Sequence, residues 1–115
     1  MFFRDDDIMT SAKIIPRIKW VVEQLHQGNF HTIYNKDETK RLSADEMRTA
    51  ISGYPGKMTL PPISAYELYE DYGDDDSDQN YIEFDLWYDG LKSDLTLSIT
   101  VGKDSIYSIE DIHVL

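Results

Sequence analysis

Cysteine is absent from this 115-residue chain. Its absence removes disulfide scaffolding, thiolate nucleophiles and sulfur-rich zinc sites together, and fits a reducing compartment. Basic side chains are scarce in one half. Residues 61–115 hold two (Lys92, Lys103) against fourteen acidic ones, a net −12, while residues 1–60 hold nine basic and eight acidic ones, a net +1. No basic stripe of the kind that tracks a phosphate backbone is present. The largest basic cluster, Lys36, Lys40 and Arg41, is offset by Asp37 and Glu38, which disfavours nucleic-acid binding. No apolar run nears the ~20 residues that span a bilayer. The first residues, Met1-Phe2-Phe3-Arg4-Asp5-Asp6-Asp7, lack the basic start and apolar core of a secretory signal. The expectation is a soluble, cytoplasmic protein with no membrane and no nucleic-acid partner. Met1 at the start and Val114-Leu115 at the end lead us to expect a whole natural chain without a tag.

Catalytic motifs are equally wanting. There is no GxSxG, HExxH or glycine-rich phosphate loop. His26, His31 and His113 are scattered, with no nucleophile and orienting carboxylate set beside them, so no enzyme activity and no cofactor are expected. Asp74, Asp76 and Asp78 fall at positions 1, 3 and 5 of a calcium loop, but position 6 is Gln79 rather than glycine and position 12 is Asp85, within a strand pattern. We read that segment as a solvated hairpin tip without a metal.

What is present divides at Pro61-Pro62. Before it the apolar period is helical. Ile14, Ile18, Val21 and Leu25 form a stripe, with Ile15 and Val22 beside it, and predict a helix over about 12–27, with Pro16 in its first turn and Gly28 at its end. Asn29 to Tyr34 reads as a short helical turn capped by Asn29. Ser43-Ala44-Asp45-Glu46 is a capping box with Leu42 and Met47 as its hydrophobic staple, so a further helix runs to Gly53.

After Pro61-Pro62 the period becomes 2. Four strands are predicted, over about 65–72, 80–88, 94–101 and 105–114. In the second, Ile82, Phe84, Leu86 and Tyr88 face in. In the third, Leu95, Leu97, Ile99 and Val101 face in, and Asp94, Thr96, Ser98 and Thr100 face out. Asp89-Gly90 and Gly102-Lys103-Asp104 make short turns, so neighbouring strands are antiparallel. The predicted fold is a single α+β domain, a helical layer (1–60) on one face of a four-stranded antiparallel meander (61–115), a layout shared with NTF2-like and cystatin-like folds.

The other face of that sheet is the candidate site. Glu67, Tyr69, Asp71, Tyr81, Glu83, Asp85 and Trp87 project together on this reading, with Asp74, Asp75 and Asp76 at the hairpin tip. Tyrosine and tryptophan anchor interfaces and carboxylates steer basic partners, so the residue set points to binding a basic protein. The alternative is a pocket between helices and sheet, lined by Trp20, Phe30, Tyr34, Tyr88 and His31, that holds a small molecule or a substrate.

Several segments carry a family likeness: Leu42-Ser43-Ala44-Asp45-Glu46-Met47-Arg48, Pro61-Pro62, Phe84-Asp85-Leu86-Trp87, Ser93-Asp94-Leu95-Thr96-Leu97 and Ile109-Glu110-Asp111-Ile112-His113-Val114-Leu115. They resemble a family of small bacterial domains of unassigned function, over about residues 14–115. In size, acidity and want of catalytic motifs the chain is also similar to immunity proteins of bacterial toxin systems, including contact-dependent growth inhibition. That likeness implies neutralisation of a basic toxin domain, such as a nuclease, by occlusion.

Overall fold

The computed structural model describes residues 5–73 and 79–114. The helices come first: α1 (Asp5–Gln27), α2 (Phe30–Lys36) and α3 (Ala44–Gly53). The strands are β1 (Met58–Thr59), β2 (Glu70–Asp71), β3 (Asn80–Tyr88), β4 (Leu91–Val101) and β5 (Tyr107–Val114). Consecutive hairpins place β3, β4 and β5 side by side, and β1 and β2 both pair with β3, all antiparallel. The α+β class, with helices first and strands after them, is therefore as the period predicts, although β1 precedes Pro61-Pro62.

The apolar stripe of α1 lands on the sheet. Ile14, Ile18, Val21, Val22 and Leu25 join Phe30 and Ile33 of α2, Ala44 and Met47 of α3, and the inward residues Ile82, Phe84, Leu86, Tyr88, Leu95, Leu97, Ile99 and Val101 in one core. Each fully buried isoleucine or leucine contributes about 2 kcal/mol by leaving water. Ser43 accepts from the Glu46 amide while the Glu46 side chain accepts from the Ser43 amide, the reciprocal cap expected. Ser43→Ala should lower stability by ~1 kcal/mol in a denaturant titration.

Four expectations are corrected. First, α1 begins at Asp5, which puts Pro16 inside the helix rather than in its first turn. Pro16 and Ala12 both lie on the exposed side, where water can reach the carbonyl that loses its amide donor. Second, Asn29 stands at the N-cap of α2 without a side-chain cap bond; its amide donates to Gln24 and Gln27 instead.

Third, residues 65–72 are not one strand. Pro62 opens a 3-10 turn (Ile63–Glu67), held by Ala65 N–H to Pro62 O and Leu68 N–H to Ala65 O, and only Glu70–Asp71 then pair with β3. Local bonding three residues back replaces the ladder there. Tyr66 is inward, stacked on Phe84 at 5.6 Å, but Leu68 is exposed. An additional strand, β1, stands before Pro61-Pro62. Fourth, β4 starts at Leu91. Asp89 and Gly90 both take positive φ, 52° and 77°, so they are the whole hairpin loop. That pair of left-handed residues matches the twist of the flanking strands, which is why Asp-Gly suits it.

Candidate functional site

Registers define the face opposite the helices. Glu70 is opposite Glu83, which is opposite Ser98, which is opposite Asp111. Asp85, Thr96 and His113 form the next row, Trp87 pairs with Lys92 and Thr59, and Tyr81 lines up with Thr100 and Ser108. The central strand thus supplies a floor of small hydroxyl side chains, and β3 and β5 supply longer walls. Thr96 and Ser98 are only 1% and 0% exposed, although they lie on the face away from the helical layer. Their cross-strand neighbours, about 5 Å away at Cβ, are long enough to cover them.

Two irregularities shape this trough. Between Asp85 and Trp87 the β3–β4 register shifts, and Ser93 Oγ fills the gap by donating to Leu86 O at 2.6 Å while accepting from the Leu95 amide. Between Ser98 and Ile99 the β4–β5 register shifts as well. There Glu110 accepts from Thr100 Oγ1 at 3.0 Å and pairs with Arg41. Bulges of this kind bend and twist a sheet.

Charge on the face is mostly unbalanced. Lys92 lies 3.6 Å from Asp85, whose other oxygen accepts from Thr96 Oγ1. His113 Nδ1 is 3.1 Å from Asp111 without a hydrogen-bond geometry. Glu70 and Glu83 have no cation among the described residues. Glu83 Oε2 and Ser98 Oγ are buried and have no hydrogen-bond partner there.

Of the residues expected on this face, Tyr81, Glu83, Asp85 and Trp87 are on it. Tyr69 is not: it packs against the core and its hydroxyl hydrogen-bonds Ser11 Oγ at 2.9 Å, on the helical side. Asp71 is opposite the inward Ile82, and its carboxylate accepts from the Gly73 amide and from Asn80. Glu67 ends the 3-10 turn, off the sheet. Asp74, Asp75 and Asp76 lie outside the described residues. In place of Tyr69 and Asp71 the face gains Glu70 and Tyr72. The Tyr72 amide donates to Tyr81 O, and the two rings stand 6.2 Å apart. Its hydroxyl donates to Glu70, and that bond, with partial burial and the charges of Glu70 and Glu83, pushes the phenol up to about 12. The one-residue change of phase across 69–72 follows from the 3-10 turn before it.

The alternative pocket is not assembled from its expected lining. Phe30 and Tyr88 are in the core at 7% and 5% exposure, Trp20 and Tyr34 pack against its edge, and His31 is exposed. Trp20 is tilted on Tyr107 and carries Arg17 and Lys36. An open groove of about 560 Å³ lies elsewhere, between α3 and the ends of β4 and β5, lined by residues such as Ala50, Tyr54, Leu95 and Val114. His26 is exposed as well, at the end of α1. No group of three or more potential metal ligands occurs among the described residues.

None of the helices among the described residues is long and apolar enough to cross a membrane. No curated protein and no solved structure matches the chain. A family profile does, over residues 22–115, from the second half of α1 to the last strand. By that match the chain belongs to the family described as Domain of unknown function (DUF7668).

Proposed function

We propose that the domain binds a basic protein through the outer face of its sheet, and that its biological form is occlusion of a basic toxin domain, as an immunity protein would do. The observation that carries this reading is the row Glu70–Glu83–Ser98–Asp111, three carboxylates around a buried serine, flanked by Tyr81 and Trp87. Like charges placed opposite one another cost stability in the free protein. A partner that brings lysine or arginine relieves that cost on binding, and the aromatic walls supply contact area with few rotors to freeze. The immunity form rests on the likeness of composition alone.

The test is capture from the native host with the intact chain as bait, followed by kinetics on the captured protein. A basic protein should emerge. Trp87→Ala should weaken its complex by at least ~2 kcal/mol if this ring is a central anchor. Asp74, Asp75 and Asp76 changed together to asparagine should slow association and flatten its salt dependence, because outlying charges act on encounter. Unchanged affinity in the Trp87 variant together with unchanged association in the triple variant would place the interface elsewhere.

A further inference from the structure

The aromatic rings of the protein fall into two classes by what lies over them. On the helical side, Arg17 rests on Trp20 and Tyr107, Lys36 on Trp20, Lys40 on Tyr34 and Arg48 on Phe30. These are all the cation–π contacts among the described residues. On the outer sheet face, Tyr72 and Tyr81 are exposed at 58% and 37% and their rings are tilted at 58° to one another. They have carboxylates beside them and, among the described residues, no cation over them. Two tilted aromatic faces with acidic neighbours are the elements from which proteins build receptors for organic cations.

We propose that the corner formed by Tyr72, Tyr81, Glu70 and Glu83 receives the guanidinium of an arginine side chain. The proposal rests on the reading that this sheet face binds a basic protein, and it names the group that such a partner inserts. Two further observations point to a ligand. Glu83 Oε2 is a buried acceptor with no donor, and Ser98, directly opposite Glu83 and 0% exposed, has an unpartnered Oγ. A buried acceptor without a donor costs free energy that an entering donor recovers. The fit is to arginine rather than lysine on shape. A guanidinium is planar, so one face can lie on a tyrosine ring while its edge presents several N–H groups to Glu83 and Glu70. An ammonium is more strongly hydrated and has no flat face to stack.

The test is an amide-resolved NMR titration of the full chain at low salt with the capped peptide Gly-Arg-Gly and its Gly-Lys-Gly counterpart. Saturable shifts are expected at Tyr72, Tyr81, Glu83 and Ser98, with the arginine peptide several-fold the tighter. Glu83→Gln removes one charge-assisted acceptor and should weaken arginine binding roughly ten-fold. The same variant should fold at least as stably as the parent, because it relieves the Glu70–Glu83 repulsion; lost binding is then not lost structure. Unsaturating shifts spread to acids on other elements such as Asp45 and Asp104, equal affinity for the lysine peptide, or an unweakened Glu83→Gln variant would each overturn the proposal. A captured basic partner that shifts Trp87, Asp85 and His113 but leaves Tyr72 and Tyr81 in place would remove the arginine corner and keep the wider surface. Failure of every basic ligand to move any outer-face amide would remove both.

Discussion

Asp37→Ala should destabilise the domain by at least ~3 kcal/mol, the size expected when a buried carboxylate leaves several backbone donors without an acceptor. Asp37 follows α2 and is 1% exposed. Its Oδ1 accepts from the Thr39 and Lys40 amides at 3.0 and 3.1 Å, and its Oδ2 accepts from the Ile109 amide at 3.0 Å. The next residue continues the attachment, with Glu38 N–H donating to Tyr107 O at 2.9 Å. One side chain thus turns the loop, holds Lys40 at its positive φ of 53° and occupies the outer edge of β5. Alanine abolishes all three bonds. Asparagine is the informative second variant: its oxygen can keep the two loop amides, but its NH2 group then faces the Ile109 N–H, donor against donor. We expect Asp37→Asn to lose ~2 kcal/mol, since a buried unsatisfied amide costs that order. Urea denaturation of the three proteins measures both. A loss below about 1 kcal/mol for alanine, the size of an ordinary net hydrogen bond, would mean that water replaces the carboxylate.

A second large effect is expected at high pH. Tyr107 and Tyr88 rise from the inner face of the sheet and donate to helix carbonyls, Tyr107 to Ile33 O and Tyr88 to Ile51 O, each at 2.6 Å. Ile33 lies in the last turn of α2 and Ile51 in that of α3, where carbonyls have no partner within the helix. Two phenols therefore fasten both short helices to the sheet. Burial pushes Tyr107 up to about 12, with the charge of Asp37 adding to it and Arg17 opposing, and burial with Tyr54 nearby does the same for Tyr88. Both folded values lie above the ordinary value of 10.0 that the unfolded chain keeps. The folded state then holds protons that the unfolded state releases. Their contribution is complete below pH 10 and is lost as pH climbs through about 12. Each tyrosine accounts for roughly 2 kcal/mol across that window. Urea midpoints between pH 8 and 12 should fall steeply in the upper part of this range, and Tyr107→Phe should make the fall shallower while lowering stability at neutral pH by about 1 kcal/mol. A Tyr107→Phe curve parallel to the parent's would show that this phenol is not responsible.

The elements that were legible in the sequence are those whose burial is one-sided and whose ends carry local chemistry. The stripe of α1, the capping box of α3 and the alternation of β3 all predict what stands there, because each signal arises from a few neighbouring residues. The segment after Pro62 failed the same reading. Tyr66, Leu68 and Tyr69 imitate alternation, but the chain there bonds to itself three residues back, so the period of 2 had no ladder to act on. That misplaced Tyr69 and Asp71 and hid Glu70 and Tyr72, while β3, read correctly, gave Tyr81, Glu83, Asp85 and Trp87. The contacts of Asp37 with Ile109, and of the two tyrosines with helix ends, span between 37 and 74 residues of sequence and leave no periodic trace. A carboxylate three residues before Lys40 looks like any solvated loop charge until the strand it bonds is in place.

The attachment of α2 to β5 has a consequence for the order of events during synthesis. The three helices are made first, and α2 has only seven residues, too few to persist alone in water. Its fastenings, Tyr107 to Ile33 and Asp37 to Ile109, both lead to β5, the strand of this sheet that is made last. The β3–β4 hairpin, with its two-residue turn, can close on its own residues and offer its inner face to α1, but α2 lacks both fastenings until β5 arrives. Docking of α2 is therefore a late step in the folding of this domain, and a chain cut before Tyr107 should leave α2 unfastened.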